Sequence, residues 1–244
     1  MMLDLVAGSE REFEQAMAEL AQAAGSTIAQ DKRDRLITAR RDADRKFTIV
    51  LDPGHGGIDG GAEGVRGTAE KDLTLSFCRE LHAALEKTGR YQVFMTRTED
   101  VFLRLDERVR IARQHEADLF ISVHADSIRY RNIRGATVYT FSEQASLAGI
   151  ESPEQSQQVT DILVDLVRRE TLGFSVSFAR ALVDRLDQTI EMIKNPHRSG
   201  AYRVLRAPDV PSVLVELGYL SNPRDEAQLL DVDWRKRAVG SLIE

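Results

Sequence analysis

The stretch Phe47 to Gly57, FTIVLDPGHGG, decides the fold. Its opening residues form a β-branched, apolar run suited to a strand buried on both faces, and Asp52, Pro53 and the glycines that follow end it in a tight loop. In an open α/β sheet such a loop lies at the carboxyl edge of the strands, where ligands bind. His55 stands in that loop between Gly54 and Gly56, which leave its ring uncrowded and let another group approach closely.

Working downstream, Glu70 to Leu85 places Leu73, Leu75, Phe77, Leu81 and Leu85 in a helical pattern that ends near Gly89. YQVFMTR (91–97) reads as a strand, Leu105 to His115 as a helix with Ile111 and Ala112 inward, and DLFISVHAD (118–126) as a second strong strand. Strand and helix in alternation predict a largely parallel, twisted sheet covered by helices on both faces, an α/β domain. Gly135 to Phe141 is a further strand and Ser177 to Ile193 a helix. Tyr202 to Leu205 and Ser212 to Gly218 are read as the closing strands, and Trp234 to Ile243 as the last helix.

Two segments stand outside this alternation. Residues 143 to about 172 begin as a polar loop and continue with Val159, Ile162, Leu163, Leu166 and Val167 at helical spacing, the pattern of an inserted helical element. Residues 1–46 contain no Pro and few apolar residues after Leu20, which suits a helical tail or linker ahead of a domain spanning 47–244.

Composition narrows the function. With 244 residues the chain is large enough for one well-formed core plus appendages. Thirty-three basic against 39 acidic side chains, a net charge of −6, argue against a nucleic-acid or anionic-membrane binder. The lone Cys78 can form neither an internal disulfide nor a thiolate cage. No apolar run approaches the roughly 18 residues of a membrane span. MMLDLVAGSEREFEQ lacks the basic and apolar regions of a secretory signal, so any export is expected to be directed by residues outside this sequence.

The candidate chemistry lies at strand ends. His124 closes DLFISVH, so two histidines at equivalent carboxyl ends can converge on one point. His82 and His115 sit among charged residues of predicted helices and read as structural or solvated, and His197 follows Pro196 in a predicted loop. Nearby carboxylates are Asp52, Asp59, Glu63, Glu70, Asp72, Asp126 and Glu216. Glu216 interrupts the apolar run VLVELG, where a charge is costly unless it is paired or faces a site, although Gly218 also allows a strand end emerging into solvent. Glu70 heads a helix, where the dipole alone favours a carboxylate. Two imidazoles and a carboxylate form a known zinc set that leaves a position for water, and a further glutamate can accept that water's proton. A pair of structural histidines stays open beside that reading. Arg97, Arg104 and Arg108 are expected to form ion pairs with Glu99, Asp100, Asp106 and Glu107.

Five motifs in order, IVLDPGHGGIDGGAEG, GTAEKDLTL, VFMTRTEDVFLRLDERVRIA, ADLFISVHAD and VPSVLVELGYLSNPRDEAQLL, resemble the zinc-dependent N-acetylmuramoyl-L-alanine amidases of bacterial cell-wall turnover. The resemblance covers about residues 47–244. It implies one Zn2+ per chain held by His55, Glu70 and His124, with Glu216 as the catalytic carboxylate. Asp126 stands where the family commonly has Asn, and Tyr219 where Phe is commoner; neither touches a ligand position. The implied reaction is hydrolysis of the amide between N-acetylmuramic acid and L-alanine in peptidoglycan, in the periplasm or cell envelope, for wall turnover and daughter-cell separation. Division-associated relatives carry a helix at the position of the insert, covering the zinc and displaced by an activator protein. The resemblance therefore implies autoinhibition, with Glu143, Glu151, Glu154 or Glu170 capping the metal, and an activator docking on the insert. The apolar stripe is equally explained as ordinary helix packing. Two rival functions remain: a zinc peptidase acting on wall peptides, and a wall-binding module without turnover.

Overall fold

The computed structural model describes residues 45–142 and 159–244. Six strands, β1 (Phe47–Pro53), β2 (Tyr91–Met95), β3 (Leu119–His124), β4 (Ala136–Phe141), β5 (Met192–Gly200) and β6 (Ser212–Glu216), form one sheet in the order β2-β1-β3-β6-β4-β5. β1 pairs in parallel with β2 and β3, and β3 with β6, so the carboxyl ends of four strands share one edge. β4 runs antiparallel to β6, and β5 follows β4 in parallel. The sheet is largely parallel, as expected, in four of its five pairings, and β4 and β5 start at the edge where β6 finishes.

Apolar spacing explains the layers. Helix α1 (Glu70–Lys87) buries Leu73, Phe77, Leu81 and Leu85 on one stripe. It shares that side of the sheet with α3 (Val159–Leu186), α4 (Pro223–Leu230) and α5 (Val232–Ile243), whose Leu182, Leu229 and Trp234 join the same core. The other face is covered by α2 (Leu105–Gln114) and a 3-10 turn at Arg203–Leu205; Ala112, Val204 and Leu205 pack there on Val50, Phe120 and Leu214. Ala112 is buried as expected, and Ile111 only half-buried. Asn222 caps α4 by accepting from the N–H groups of Arg224 (2.9 Å) and Asp225 (3.3 Å), with Pro223 in the first turn.

Three expected elements differ. The helix read from Ser177 and the helical part of the insert are one continuous 28-residue helix, because Gly173 lies open to space and its lower propensity weakens α3 without breaking it. That helix ends at Leu186, short of Ile193. β5 follows, containing His197, in MIKNPHRSG; an edge strand with Lys194 and Pro196 shows no apolar alternation to read. Tyr202 to Leu205 is a turn that tucks Val204 and Leu205 under the sheet, where a strand was expected.

The arginines of the third motif are also placed differently. Only Arg104 makes an expected exposed pair, with Asp106 at 3.2 Å. Arg97 is buried and donates to the carbonyls of Pro53 (3.0 Å), Gly54 (2.8 Å) and Lys71 (2.8 Å). Arg108 is buried against Asp52, with Nη1 2.8 Å from Oδ1, and also donates to the carbonyls of Pro53 and His55, both at 2.7 Å. Asp52 further accepts from the hydroxyls of Thr96 (2.6 Å) and Ser122 (2.7 Å). Burial opposes its charge, yet Arg108 and these hydroxyls together hold its carboxyl below the usual carboxylate range.

Because the folded-state pKa of Asp52 lies below its unfolded value, its charge stabilises the fold fully above the unfolded carboxylate range and loses that contribution as pH falls toward the folded value. Arg108→Met strands the buried carboxylate and is expected to destabilise the protein by about 3 kcal/mol in urea unfolding at pH 7. The deficit is expected to shrink in acid, as Asp52 takes up a proton in the variant. A deficit that stays constant from pH 7 down to pH 4 would count against this coupling.

Candidate metal centre

A loop residue beyond β1, the first residue of α1 and the last residue of β3 each bring one side chain to the same place at the shared sheet edge. His55, just beyond β1, adopts a left-handed backbone (φ 61°), an unusual conformation for a residue other than glycine. The carbonyl held by Arg108 and the side chain of Asp59, 2.9 Å from Nδ1, fix the ring so that Nε2 lies 3.2 Å from Glu70 Oε2. Glu70 is the first residue of α1, preceded by Ala69, which offers no capping side chain. The carbonyls of Ala62 (2.9 Å) and Gly60 (3.2 Å) instead receive the N–H groups of Glu70 and Lys71, and Ala62 returns its own N–H to Glu70 Oε2 at 2.8 Å. The other carboxylate oxygen accepts the Ala125 N–H (3.0 Å) and lies 3.0 Å from His124 Nδ1. The two imidazole rings stand edge to face with centroids 5.0 Å apart.

His55, Glu70 and His124 thus offer ligand atoms all within 4.8 Å of one another. Two imidazoles and a carboxylate are a donor set that suits zinc and leaves a position open, and Asp59 on the far nitrogen of His55 is the kind of partner that orients a ligating ring. The electrostatics agree. Burial works against the charges, but the imidazoles pull Glu70 well below the usual carboxylate range, and Glu70 with Asp59 raises His55 to about 9. Such a concentrated set of proton-sharing donors is what a cation would replace.

Glu216 ends β6 directly opposite His124 in the sheet register and is 4 % exposed. Its Oε2 accepts the Asp126 N–H at 2.9 Å. Burial, the largest influence, pushes its carboxyl up to about 7 against the pull of His124 and this hydrogen bond. A carboxylate with that affinity is poised to exchange protons near neutrality.

The remaining candidates lie elsewhere. His82 is half-buried on α1, His115 stacks on Phe94 with centroids 3.8 Å apart, and His197 Nε2 lies 3.1 Å from the Thr140 hydroxyl. Glu170 is exposed on α3, five residues before Ser175. The Ser175 hydroxyl receives the N–H of Ser212 at 2.9 Å, at the opposite end of β6 from Glu216, so Glu170 lies toward the sheet edge away from the cluster. Glu143, Glu151 and Glu154 lie outside the described residues. Asp59 is the residue whose part at the site sequence reading left undefined; its position four residues after His55 was the available signal.

Two glycines are demanded by this packing. A methyl group on Gly61 would come within 2.6 Å of Glu70 Oε2 and of the His55 ring, and one on Gly54 would collide with the His124 imidazole. Gly54→Ala is therefore expected to weaken zinc binding by about tenfold or more, with circular dichroism unchanged, because it displaces a ligand and leaves the core intact. Wild-type zinc affinity in that variant would contradict the placement of His124.

Comparison with known proteins bears on the family and the fold. The family model described as N-acetylmuramoyl-L-alanine amidase matches residues 49–244. The amidase AmiC of Escherichia coli is 35% identical over 82% of this chain and 52% of its own length. AmiC of Neisseria meningitidis is 36% identical over 81% and 51%. The chain spans about half the length of these curated relatives. Among solved structures, the amidase AmiC2 of Nostoc punctiforme superposes with a TM-score of 0.59 at 30% identity, covering 81% of this chain and 93% of that one. From the strand that opens the sheet to the last helix, the chain belongs to the N-acetylmuramoyl-L-alanine amidase family.

Proposed function

We propose that residues 47–244 are a zinc-dependent amidase domain that hydrolyses the bond between the lactyl group of N-acetylmuramic acid and L-alanine in peptidoglycan. The observation that carries this reading is the convergence of His55, Glu70 and His124 with Glu216 directly across the sheet register. When bound by the first three residues, zinc supplies Lewis acidity to the lactyl carbonyl and makes water more acidic. Glu216 then takes a proton from the attacking water and delivers it to the alanine nitrogen as the carbon–nitrogen bond breaks. Its burial gives it the proton affinity for both transfers. Asp59 and the Ala62 and Ala125 amides hold the donor atoms in place throughout. The four residues also serve peptide-bond hydrolysis, so release of intact stem peptide from muropeptides is the discriminating product.

The finer reading places this activity in the periplasm or cell envelope, in wall turnover and the separation of daughter cells, held in check by residues 143–172 until an activator protein docks. Leu166 (55 % exposed), Val167 (44 %) and Phe174 (59 %) on α3 give such a partner apolar surface. No helix among the described residues is long and apolar enough to cross a membrane.

Glu216→Gln preserves shape and removes the base. It is expected to retain about one zinc per chain by elemental analysis while losing dye release from labelled peptidoglycan by about 1,000-fold or more. Substantial turnover in that variant would sink the role given to Glu216. Deleting residues 143–158, which leaves α3 whole, is expected to raise basal dye release; an unchanged basal rate would end the autoinhibition reading.

A further inference from the structure

The loop that leaves the site toward β4 is unexpectedly basic. It begins at Asp126, whose N–H reaches Glu216, and reads DSIRYRNIR, three arginines against one aspartate in a chain of net charge −6. Arg134 is engaged, with Nε 3.2 Å from Asp225 and Nη2 2.7 Å from Glu191. Arg129 and Arg131 are exposed, and no hydrogen bond or ion pair with a described residue holds either guanidinium. Arg66, on the loop between β1 and α1, is exposed in the same way.

A single turn fixes both loops. Glu226 of α4 is fully buried and accepts the Arg66 N–H with both oxygens, at 2.9 and 3.0 Å, as well as the Thr68 hydroxyl at 2.7 Å. Asn222 donates from Nδ2 to the Arg131 carbonyl at 2.7 Å, and Ser221 accepts the Ile128 N–H at 3.1 Å. Leu220 joins the two, donating to the Asp126 carbonyl (2.9 Å) and accepting from Val65 (3.3 Å). The backbones that carry these guanidiniums are therefore anchored beside the strand end that carries Glu216, while their side chains remain unengaged. Three exposed guanidiniums carried on backbones fixed around one turn keep positive charge available at the rim of the site.

We infer that Arg66, Arg129 and Arg131 form a cationic rim that binds carboxylate groups on the peptide portion of the substrate. The inference rests on the amidase reading for the identity of that peptide and on geometry for the location of the charge. A guanidinium fork matches a carboxylate in two hydrogen bonds, and anchored loops reduce the ordering cost of making them.

The test uses the zinc-loaded full chain and two probes, L-alanyl-D-glutamate and its diamide, with dissociation constants from NMR titration. The dicarboxylate is expected to bind about tenfold tighter than the diamide at low salt, and the preference to fade as ionic strength rises. In the triple variant Arg66→Ala, Arg129→Ala, Arg131→Ala the preference is expected to fall below about twofold with the backbone amide spectrum preserved, and lysine at the three positions is expected to restore part of it. Equal binding of the two probes, no measurable binding of either, or a preference that survives the alanine substitutions would overturn the rim. Hydrolysis of a soluble muramoyl peptide by the same preparation, or by its counterpart lacking residues 143–158 in which no insert holds the site in check, separates the two readings. Its absence alongside an arginine-dependent preference would remove the amidase reading alone, and hydrolysis with no preference would remove the rim alone.

Discussion

The buried pair of Asp52 and Arg108 is the constraint from which much of the molecule follows. Two opposite charges removed from water are tolerable only if their remaining hydrogen-bonding capacity is used, and here it is used to join elements. Through Asp52 the pair reaches Thr96 beyond β2 and Ser122 in β3; through Arg108 it reaches the carbonyls of Pro53 and His55. The interaction that neutralises a charge inside the sheet is thus the same one that holds the loop of His55 in its left-handed bend. Core and site share a single electrostatic joint, and a change to one is transmitted directly to the other.

From that joint outward, the site depends on strand direction. Because β1, β3 and β6 are neighbouring and parallel, His55, His124 and Glu216 leave the sheet at one edge from consecutive strands. Glu70 alone comes from a helix, and its position is secured by exchange of backbone and side-chain bonds with Gly60 to Ala62. The cluster therefore requires little long-range adjustment: three strands set the spacing and one helix start completes it.

Much of this was legible in the sequence. The buried strands announced themselves as continuous apolar runs, and the charge at Glu216 inside VLVELG, explicable alone as a strand end reaching solvent, pointed to a site only in combination with His55, Glu70 and His124. What escaped was whatever lacked a periodic pattern. The edge strand Met192–Gly200 is polar and carries a proline, since edges are protected by such residues. Gly173 in the middle of α3 and the reversal of β4 depend on tertiary packing, which local sequence does not encode. Arg97 and Arg108 misled for a related reason. Acidic neighbours at Glu99, Asp100, Asp106 and Glu107 offered plausible exposed partners, while the true acceptors were a distant aspartate and backbone carbonyls invisible to any sequence pattern.

α3 outlasts the strands it packs against. From Ser175 onward it is seated in the core through Ala179, Leu182 and Leu186, but Leu166, Val167 and Phe174 face water on the turns before it. Forming a first helical turn is the unfavourable step, and adding turns to an existing one is nearly neutral. The seated half therefore acts as a permanent nucleus for the turn that carries Leu166 and Val167. Opening of that turn costs far less than global unfolding, so one helix carries two stretches of unequal stability, the seated one set by the core and the exposed one by the helix itself.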